Sequence, residues 1–433
     1  MFVKYVRDPV FGYIGITDVE RNIIDTRAVQ RMRRIKQLSI SSAVYPGAVH
    51  SRFSHAIGVM HIAGRMMDSL GEYVEVNEED WQLMRLAGLL HDVGHGPFSH
   101  TYEGILSEKL DLTHEDMGRR VLEESNLSDK ISSQGYNSSE LAELIFGEPE
   151  TEKFLKHIIT SQFDADKMDF LLRDSYFSGV QYGQVDIQRL IQAMEIIDGN
   201  IALDKKALSA LEAFMIARYE MFMNVYYHHT VRAADIMLKK AMKNVDEILG
   251  LTTFEDIDEF LEMDDAYVIN GLRRLNPDDY SGAEKEGAEK AEKIFRDLES
   301  RNLIKTAFDR DVHVKDEYVA KLLGDYAVRR GREKEIASRA GVDPEHVTVD
   351  VPTLASMPYY PRDIDPAEVP LFEKDVDGKK REVSLSRNSR LVNVLRGYVD
   401  LIRVYTPQKY RNKVCKVSEE VFKELPLSAQ LSM

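Results

Sequence analysis

Cysteine is almost missing from this chain of 433 residues: Cys415 stands alone, which excludes an intramolecular disulfide and fits a reducing compartment. No apolar stretch approaches the roughly 18 residues that would suggest a membrane span. The N-terminal MFVKYVRDPVFGYIG has no apolar signal core followed by a small-residue cleavage site, so secretion is not expected. A basic excess is lacking too. The formal net charge is −16, which argues against strong nucleic-acid binding, since that role needs a basic footprint. Together these absences predict a cytoplasmic protein with no membrane segment. An acidic chain that handles phosphates must gather its Lys and Arg locally.

What is present has an ordinary globular balance, 43% hydrophobic and 30% charged. The length suits one large domain with a smaller one, or two to three average ones. YVRDPVFGYIGIT alternates apolar positions around Pro9 and Gly12 and predicts a short β-hairpin. Thr17 and Glu20 have capping-box spacing for a helix start. Thr26 is a candidate cap for a helix over RAVQRMRRIKQL, where Val29, Met32 and Ile35 repeat at helical spacing. From there to about residue 305 the pattern is overwhelmingly helical, as in AIGVMHIAGRMMDSL, WQLMRLAGLLHD, DADKMDFLLRDSYF, ALEAFMIARYEMFMNVYYHH and AEKAEKIFRDLESRNLIK. Asn276-Pro277-Asp278-Asp279 and Ser281-Gly282 mark an exposed break. After residue 306 the texture changes. HVTVDVP and REVSLS alternate like strands, Asp377-Gly378 is a hairpin-type turn, and LVNVLRGYVDLIRVY resumes a longer apolar pattern. The expectation is a mainly α fold, with a helical core and short N-terminal hairpin over 1–305 and a small α+β region over 306–433.

The stretch GLLHDVGHGPFSH, residues 88–100, raises the question of chemistry. His91 and Asp92 are adjacent and point about 100° apart on a helix, yet both can reach an ion lying between them. Asp92 ends an apolar run, where an unpartnered charge is costly and a cation would satisfy it. Two other readings stay open at this point. One is a hydrogen-bonded His-Asp core couple. The other is a variant of the zincin H-E-x-x-H motif, although that needs an uninterrupted helix and a glutamate, while Gly94, Gly96 and Pro97 end this one. The company favours a metal: His55 lies upstream in HSRFSHAIGVMHIAG, and Asp166 lies downstream beside Lys167, Arg173 and Asp174.

The ordered set His … His-Asp … Asp resembles the HD superfamily of metal-dependent phosphohydrolases. A mixed N/O ligand set suits Mn, Fe, Co, Ni or Zn better than Ca, with Mg also possible in such a family. The resemblance narrows along RAVQRMRRIKQLSISSAVYPGAVHSRFSHAIGV, HDVGHGPFSHTYEG, LTHED and DADKMDFLLRDSYFSG, and more weakly ARYEMFMNVYYHHTVR and ESRNLIK. Over roughly residues 4–305 these are similar to the deoxynucleoside triphosphate triphosphohydrolase branch. No sterile-alpha-motif domain is expected ahead of the hairpin.

The resemblance implies roles. His55, His91, Asp92 and Asp166 match metal ligands, and Arg52, Lys167 and Arg218 match residues that hold the triphosphate. His95 matches the proton-transfer histidine at the α-phosphate, on one side with His91 if the helix continues. Asp92, Glu103 and His114 complete the catalytic set, Glu103 as the acid that orients His95, and His100 belongs to the phosphate-facing loop. Gln37 and Leu38 match positions that crowd the sugar, with Phe170, Asp174 and Tyr226 near sugar and base. The human member of the branch has tyrosine at the position of Phe170 and histidine at that of Phe222, which weakens the expectation of strict deoxyribose selection. Asp25, Gln30 and Arg33 match a site for an activating guanine nucleotide, GTP or dGTP. An aspartate suits guanine because its two oxygens accept from N1 and the exocyclic amine. Arg301 and Lys305 match a neighbouring effector phosphate, such as that of a dNTP. Such sites form between subunits, which implies a homotetramer, with oligomerisation assigned to 306–433.

Each matched charge could instead be a solvated surface group, His100 and His114 could be satisfied core histidines, and Gln37 and Tyr226 could simply pack. His61 reads as structural. The expected reaction is metal-dependent hydrolysis of a dNTP to deoxynucleoside and inorganic triphosphate. An HD phosphohydrolase for another nucleotide phosphate ester competes with it, although such an enzyme does not need RRIKQL or VYPGAVHSRF. A non-catalytic nucleotide sensor is opposed by the intact His91, Asp92 and His95.

Overall fold

A computed structural model describes residues 1–147, 153–314, 326–351, 369–391 and 398–423. The expected hairpin is there: β1 (Lys4–Asp8) and β2 (Gly12–Ile16) pair antiparallel from Lys4↔Ile16 to Asp8↔Gly12. Asp8 Oδ1 accepts from the amides of Val10 and Phe11, both at 2.9 Å, and Gly12 takes φ +77°, which L-residues rarely adopt. The capping box also forms. Thr17 accepts from the Glu20 amide and the Glu20 carboxylate accepts from the Thr17 amide, starting α1 (Asp18–Ile24).

The next element departs from expectation. α2 (Arg27–Arg31) is short, tightens into a 3₁₀ turn at Met32–Arg34, and gives way to extended backbone at Ile35. Thr26 does not cap it through its side chain; its hydroxyl donates to the Ile23 carbonyl. The reason is tertiary. Lys36 bridges to Ser51, and the Arg52 amide donates to the Ile35 carbonyl, so the chain leaves the helix to meet the start of the next one. Gln37 and Leu38 therefore sit in a turn rather than on a helix with Arg33.

The central pair is α3 (Arg52–Leu70) and α4 (Glu78–Leu90). Gly88 makes their close approach possible, because a Cβ there would lie 3.0 Å from the Val59 carbonyl oxygen. Around them run α5 (His100–Leu110), α6 (His114–Glu124), α7 (Asn126–Ser133), α8 (Ser138–Phe146), α9 (Lys153–Ile159) and α10 (Ala165–Ser178). After α11 (Ile187–Gln192) comes a hairpin absent from the sequence reading, β3 (Met194–Ile197) and β4 (Asn200–Asp204). Its turn is Asp198-Gly199 with φ of 50° and 76°, the positive pair that a type I′ turn requires. α12 (Leu208–Met221) runs into a π turn at Phe222–Tyr226, followed by α13 (His229–Asn244), α14 (Asp246–Leu249), α15 (Ile257–Phe260), α16 (Asp265–Arg274) and α17 (Gly282–Glu299). One apolar core continues from Ile14 in the hairpin to Phe295 in α17 and on to Leu385.

The remaining strands are β5 (Lys305–Val314), β6 (Thr348–Asp350), β7 (Leu371–Lys374), β8 (Lys380–Val383) and β9 (Tyr398–Thr406). They form a sheet of order β5-β9-β6 and a second of order β3-β4-β7-β8, which takes two strands from each side of residue 305. HVTVDVP supplies β6, and Asp377-Gly378 lies in the β7–β8 turn. REVSLS is strand only to Val383, then a helical turn. LVNVLRGYVDLIRVY supplies β9 from Tyr398, its residues 392–397 lying outside the described ones. Helices Tyr326–Ala340 and Arg411–Val421 pack on the three-stranded sheet around Phe308, Ile336, Val349, Ile402, Val404 and Val414. Arg232 of α13 holds Asp350 with two hydrogen bonds of 3.0 and 2.7 Å, fixing this sheet to the helical core. The fold is mainly α, as expected, and no helix among the described residues is long and apolar enough to cross a membrane.

Candidate active site

Three elements converge on one point. α3 brings His55 from its first turn, the end of α4 brings His91 and Asp92, and the first turn of α10 brings Asp166. Ligand atoms of His55, His91 and Asp92 all lie within 4.8 Å of one another. Asp166 Oδ1 is 3.0 Å from His55 Nε2 and 3.7 Å from His91 Nε2. Both Nε2 atoms are buried with no hydrogen-bond partner. The other ring nitrogens are committed: His55 Nδ1 donates to Asp169 Oδ2 at 2.7 Å and His91 Nδ1 to the Gly88 carbonyl at 2.9 Å. Those acceptors keep a proton on Nδ1 and leave the lone pair on Nε2 for an ion. Buried lone pairs facing two carboxylates are costly for a protein alone and suited to a divalent cation.

The electrostatics agree. Burial works against a charged His55, but Asp166, Asp169 and Asp92 outweigh it and push its pKa up to about 10. Burial also opposes a charged His91, and Asp92 and Asp166 raise it nonetheless. The carboxylates of Asp92 and Asp166 are held well below their usual range against the opposing effect of burial. The carboxylates draw positive charge to this point, and a divalent ion satisfies them without protonating either ring. The competing readings fit poorly: α4 ends at Leu90, which a zincin helix does not do, and His91 Nε2 sits 3.4 Å from Asp92 Oδ1 without hydrogen bonding it.

Sequence reasoning missed Asp169, three residues after Asp166 on the same face of α10. Arg173 grips its carboxylate with two bonds of 2.8 Å and reaches Asp8 in the hairpin at 2.7 Å. Gly58 makes the room, since a Cβ there would fall 1.7 Å from Asp169 Oδ1.

Cations ring the carboxylates. Arg52 donates from Nε to Ser99 Oγ at 2.7 Å and from Nη1 to Asp92. Lys167 Nζ meets Asp164, the N-cap of α10, at 2.5 Å. Arg218 is buried; burial lowers its pKa to about 9, with Asp164 and Asp166 near enough to oppose the fall. The local positive charge that the acidic composition demanded is therefore present.

His95 does not continue a helix with His91, because residues 91–94 form turns. Its Nε2 still comes within 3.3 Å of Asp92 Oδ1, and its ring stacks on His114 at 4.1 Å and 10°. Glu103 departs from its expected part. It accepts from His114 Nδ1 at 2.5 Å and His100 Nδ1 at 2.9 Å, so it orients His114 rather than His95. His100 opens α5 with its side chain about half exposed, rather than lying in a loop. Burial, then Arg52 and His114, depress the His95 pKa well below the usual histidine value. His114 is raised, with Glu103 overcoming burial.

On the proposed sugar side, Tyr226 donates to Asp174 Oδ2 at 2.7 Å, with Phe170 and Phe222 edge-on to its ring at 6.3 and 4.9 Å. His50, also missed, donates from Nε2 to Asp174 Oδ1 at 2.7 Å; its signal was a histidine two residues before Arg52. The Gln37 amide donates to the His50 carbonyl, its Oε1 is buried without a partner, and Leu38 packs half-buried on the core. Of the effector candidates, Asp25 is the exposed C-cap of α1. Gln30 donates to the Ile24 carbonyl at 2.9 Å and accepts from Arg33 Nε at 2.8 Å. Arg33 lies over the Phe53 ring at 3.5 Å. Arg301 donates to the Ala43 carbonyl at 3.1 Å, and Lys305 begins β5. Among the described residues no hydrogen bond or ion pair joins these two to Asp25, Gln30 or Arg33.

A helical fold with this His, His-Asp and Asp constellation is that of an HD domain. The HD domain family matches residues 52–173, and the HD associated region matches 185–430, more than half of the chain. The chain belongs to the HD phosphohydrolase family. It is 35% identical over 287 residues to an uncharacterized protein of Methanocaldococcus jannaschii, covering 63% of this chain and 58% of that one. It is 32% identical over 317 residues to the deoxynucleoside triphosphate triphosphohydrolase SAMHD1 homolog of Dictyostelium discoideum, covering 70% of this chain and 59% of that one. The chain thus spans under three fifths of the length of these curated relatives. It also resembles the crystal structure of a hypothetical protein from Aquifex aeolicus, with TM-score 0.74 and 30% identity over 96% of this chain and all of the other.

Proposed function

We propose that the chain hydrolyses deoxynucleoside triphosphates to the deoxynucleoside and inorganic triphosphate, with a divalent metal held by His55, His91, Asp92 and Asp166. The observation that carries this reading is the pair of buried Nε2 atoms that make no hydrogen bond of ordinary geometry and converge on the carboxylates of Asp92 and Asp166. When bound, such a metal polarises a phosphate oxygen and lowers the pKa of its water toward neutrality. Arg52, Lys167 and Arg218 neutralise the charge of the triphosphate while its α-phosphorus takes up the water oxygen and the bond to the 5′-oxygen of the deoxynucleoside breaks, in a site sheltered from water. His95, beside the α-phosphate, gives its proton to the departing 5′-oxygen. Its low pKa keeps the ring neutral beforehand, and the arriving anion raises that pKa, so the proton is taken up with the substrate. His114, its pKa raised by Glu103 against the opposing effect of burial, backs that ring. Asp174 and Tyr226 meet the sugar beside Gln37 and Leu38, with Phe170 offering no phenol there. The name of the Dictyostelium relative supports the substrate class.

We further propose a guanine-nucleotide activator at Asp25, Gln30 and Arg33, with Arg301 and Lys305 serving a second effector phosphate between subunits. The assembly is a cytoplasmic homotetramer in which residues 306–433 contribute to oligomerisation. The test is a panel of dNTPs and NTPs with Mn²⁺, with and without GTP, read by chromatography. Deoxynucleoside and triphosphate are the expected products. Release of nucleoside monophosphate or orthophosphate, or no turnover of any dNTP, would refute the reading.

A further inference from the structure

The geometry points to a positioning residue that the matched set omits: we infer that Arg31, together with Asp265, braces the 95–99 loop and so sets the place of His95. Its functional meaning rests on His95 carrying the proton as proposed above; the brace itself can be observed without activity.

Arg31 is fully buried, yet no carboxylate lies within ion-pair distance of it among the described residues. Its Nη1 donates to the His95 backbone carbonyl at 2.8 Å and its Nε to the Met263 carbonyl at 2.8 Å. The guanidinium lies over the Phe260 ring at 4.5 Å. Burial lowers its pKa to about 10 even with Asp264 and Asp265 nearby. A position that needed only packing would be filled by an apolar side chain, because a buried cation without a counter-ion is costly. The partners that Arg31 does have are two carbonyls, one of them on His95.

The same corner is held a second time. Asp265 Oδ1 accepts from the Phe98 amide at 2.7 Å and its Oδ2 from the Lys36 amide at 3.0 Å. Arg34 Nε meets Asp264 at 2.5 Å. The start of α16 thereby fastens residues 31–36 to the loop that carries His95. That loop needs fastening. Phe98 and Ser99 have φ of 58° and 51°, left-handed values that non-glycine residues keep only where their surroundings over-determine them. Gln30 and the exposed Arg33 flank Arg31 in sequence, so the proposed effector face and the His95 carbonyl share one short stretch of chain.

The test uses the full-length, metal-loaded protein as wild type, Arg31→Gln, Arg31→Lys and Asp265→Asn. Bound metal, kcat and KM for a dNTP, and hydrogen exchange of peptides covering 92–100 are measured side by side. Arg31→Gln is expected to keep its metal and KM but to lose about 10²-fold in kcat, the effect of a catalytic group misplaced by about an ångström. Amides of 95–99 should exchange faster while those around His55 keep their rate. Arg31→Lys, which keeps the charge and one donor, should recover part of the loss, and Asp265→Asn should show a milder form of it. Wild-type kcat and exchange in a folded Arg31→Gln would overturn the inference. So would a uniform loss of metal, turnover and protection across the chain, which marks an ordinary core residue. If Arg31→Gln does not fold, Arg31→Lys and Asp265→Asn decide by the same criteria. If the wild type turns over no dNTP, the proposed reaction falls, while loop exchange still judges the brace.

Discussion

Two groups of histidines meet at Asp92, and they are built for opposite purposes. His55 and His91 have Nδ1 tied to fixed acceptors and Nε2 left bare, and their carboxylate surroundings raise their pKa. His95 touches the same carboxylate but lies among Arg52 and His114, and it is pushed the other way. In the proposed reaction the first group would hold the cation, and the second would stay neutral until the anionic substrate binds. The difference teaches that the role follows from what holds the second nitrogen and which charges surround the ring, not from residue type.

The comparison can be broken in order of expected effect. Removing the metal with a chelator should abolish turnover, and Mn²⁺ should restore it; activity persisting in metal-free protein would dissolve the distinction. His95→Ala should keep the metal and nucleotide binding yet lose about 10²–10⁴-fold in kcat, the usual share of a proton-transfer group. Near-normal kcat in that folded variant would move the role to His114.

Glu103→Gln sharpens the second group. Burial works to raise the Glu103 pKa, but His114 and His100 overcome it and hold the carboxylate far below its ordinary range. Its stabilisation is present above the unfolded value of about 4.3 and is lost as pH falls through the lower folded value. His114 is raised, so its contribution is full below about 6.5 and is lost as pH rises through the higher folded value. The Tm gap between wild type and Glu103→Gln should therefore be widest at about pH 5–6 and shrink on the alkaline side. A gap that is flat with pH would contradict the pairing. Asp25→Ala should bring the ratio of rates with and without GTP to one, read together with sedimentation. A coupling of about 1–3 kcal/mol is typical of effectors, and a wild type already tetrameric and indifferent to GTP would end the regulatory proposal. The smallest effect is expected from Phe170→Tyr, which adds a phenol beside Tyr226 and should increase the preference for dNTP over NTP.

Much of this was legible in the sequence where signals are local. The Thr17–Glu20 box, the hairpin before it and the helices around His55, His91 and Asp166 follow from spacing alone. The chain's membership of the HD family was legible too, because the ligand order is a linear pattern. What was missed depends on distance in space. α2 stops early because Lys36 must bridge to Ser51, a demand that its helical periodicity does not carry. The partners of Glu103 are settled by how α5 and α6 lie together, so it falls to His114 instead of His95. Asp169, His50 and Arg31 hold other site residues from behind and match no motif. The β3–β4 hairpin is a different case. Asp198-Gly199 is a strong turn signal, overlooked inside a long helical reading.

The central claim is that His55, His91, Asp92 and Asp166 hold a divalent metal. Elemental analysis of wild type, His91→Ala and Asp166→Ala, each shown to be folded, tests it most directly. The account predicts bound transition metal in the wild type and its loss from both variants. Unchanged metal content in the two folded variants would contradict the site.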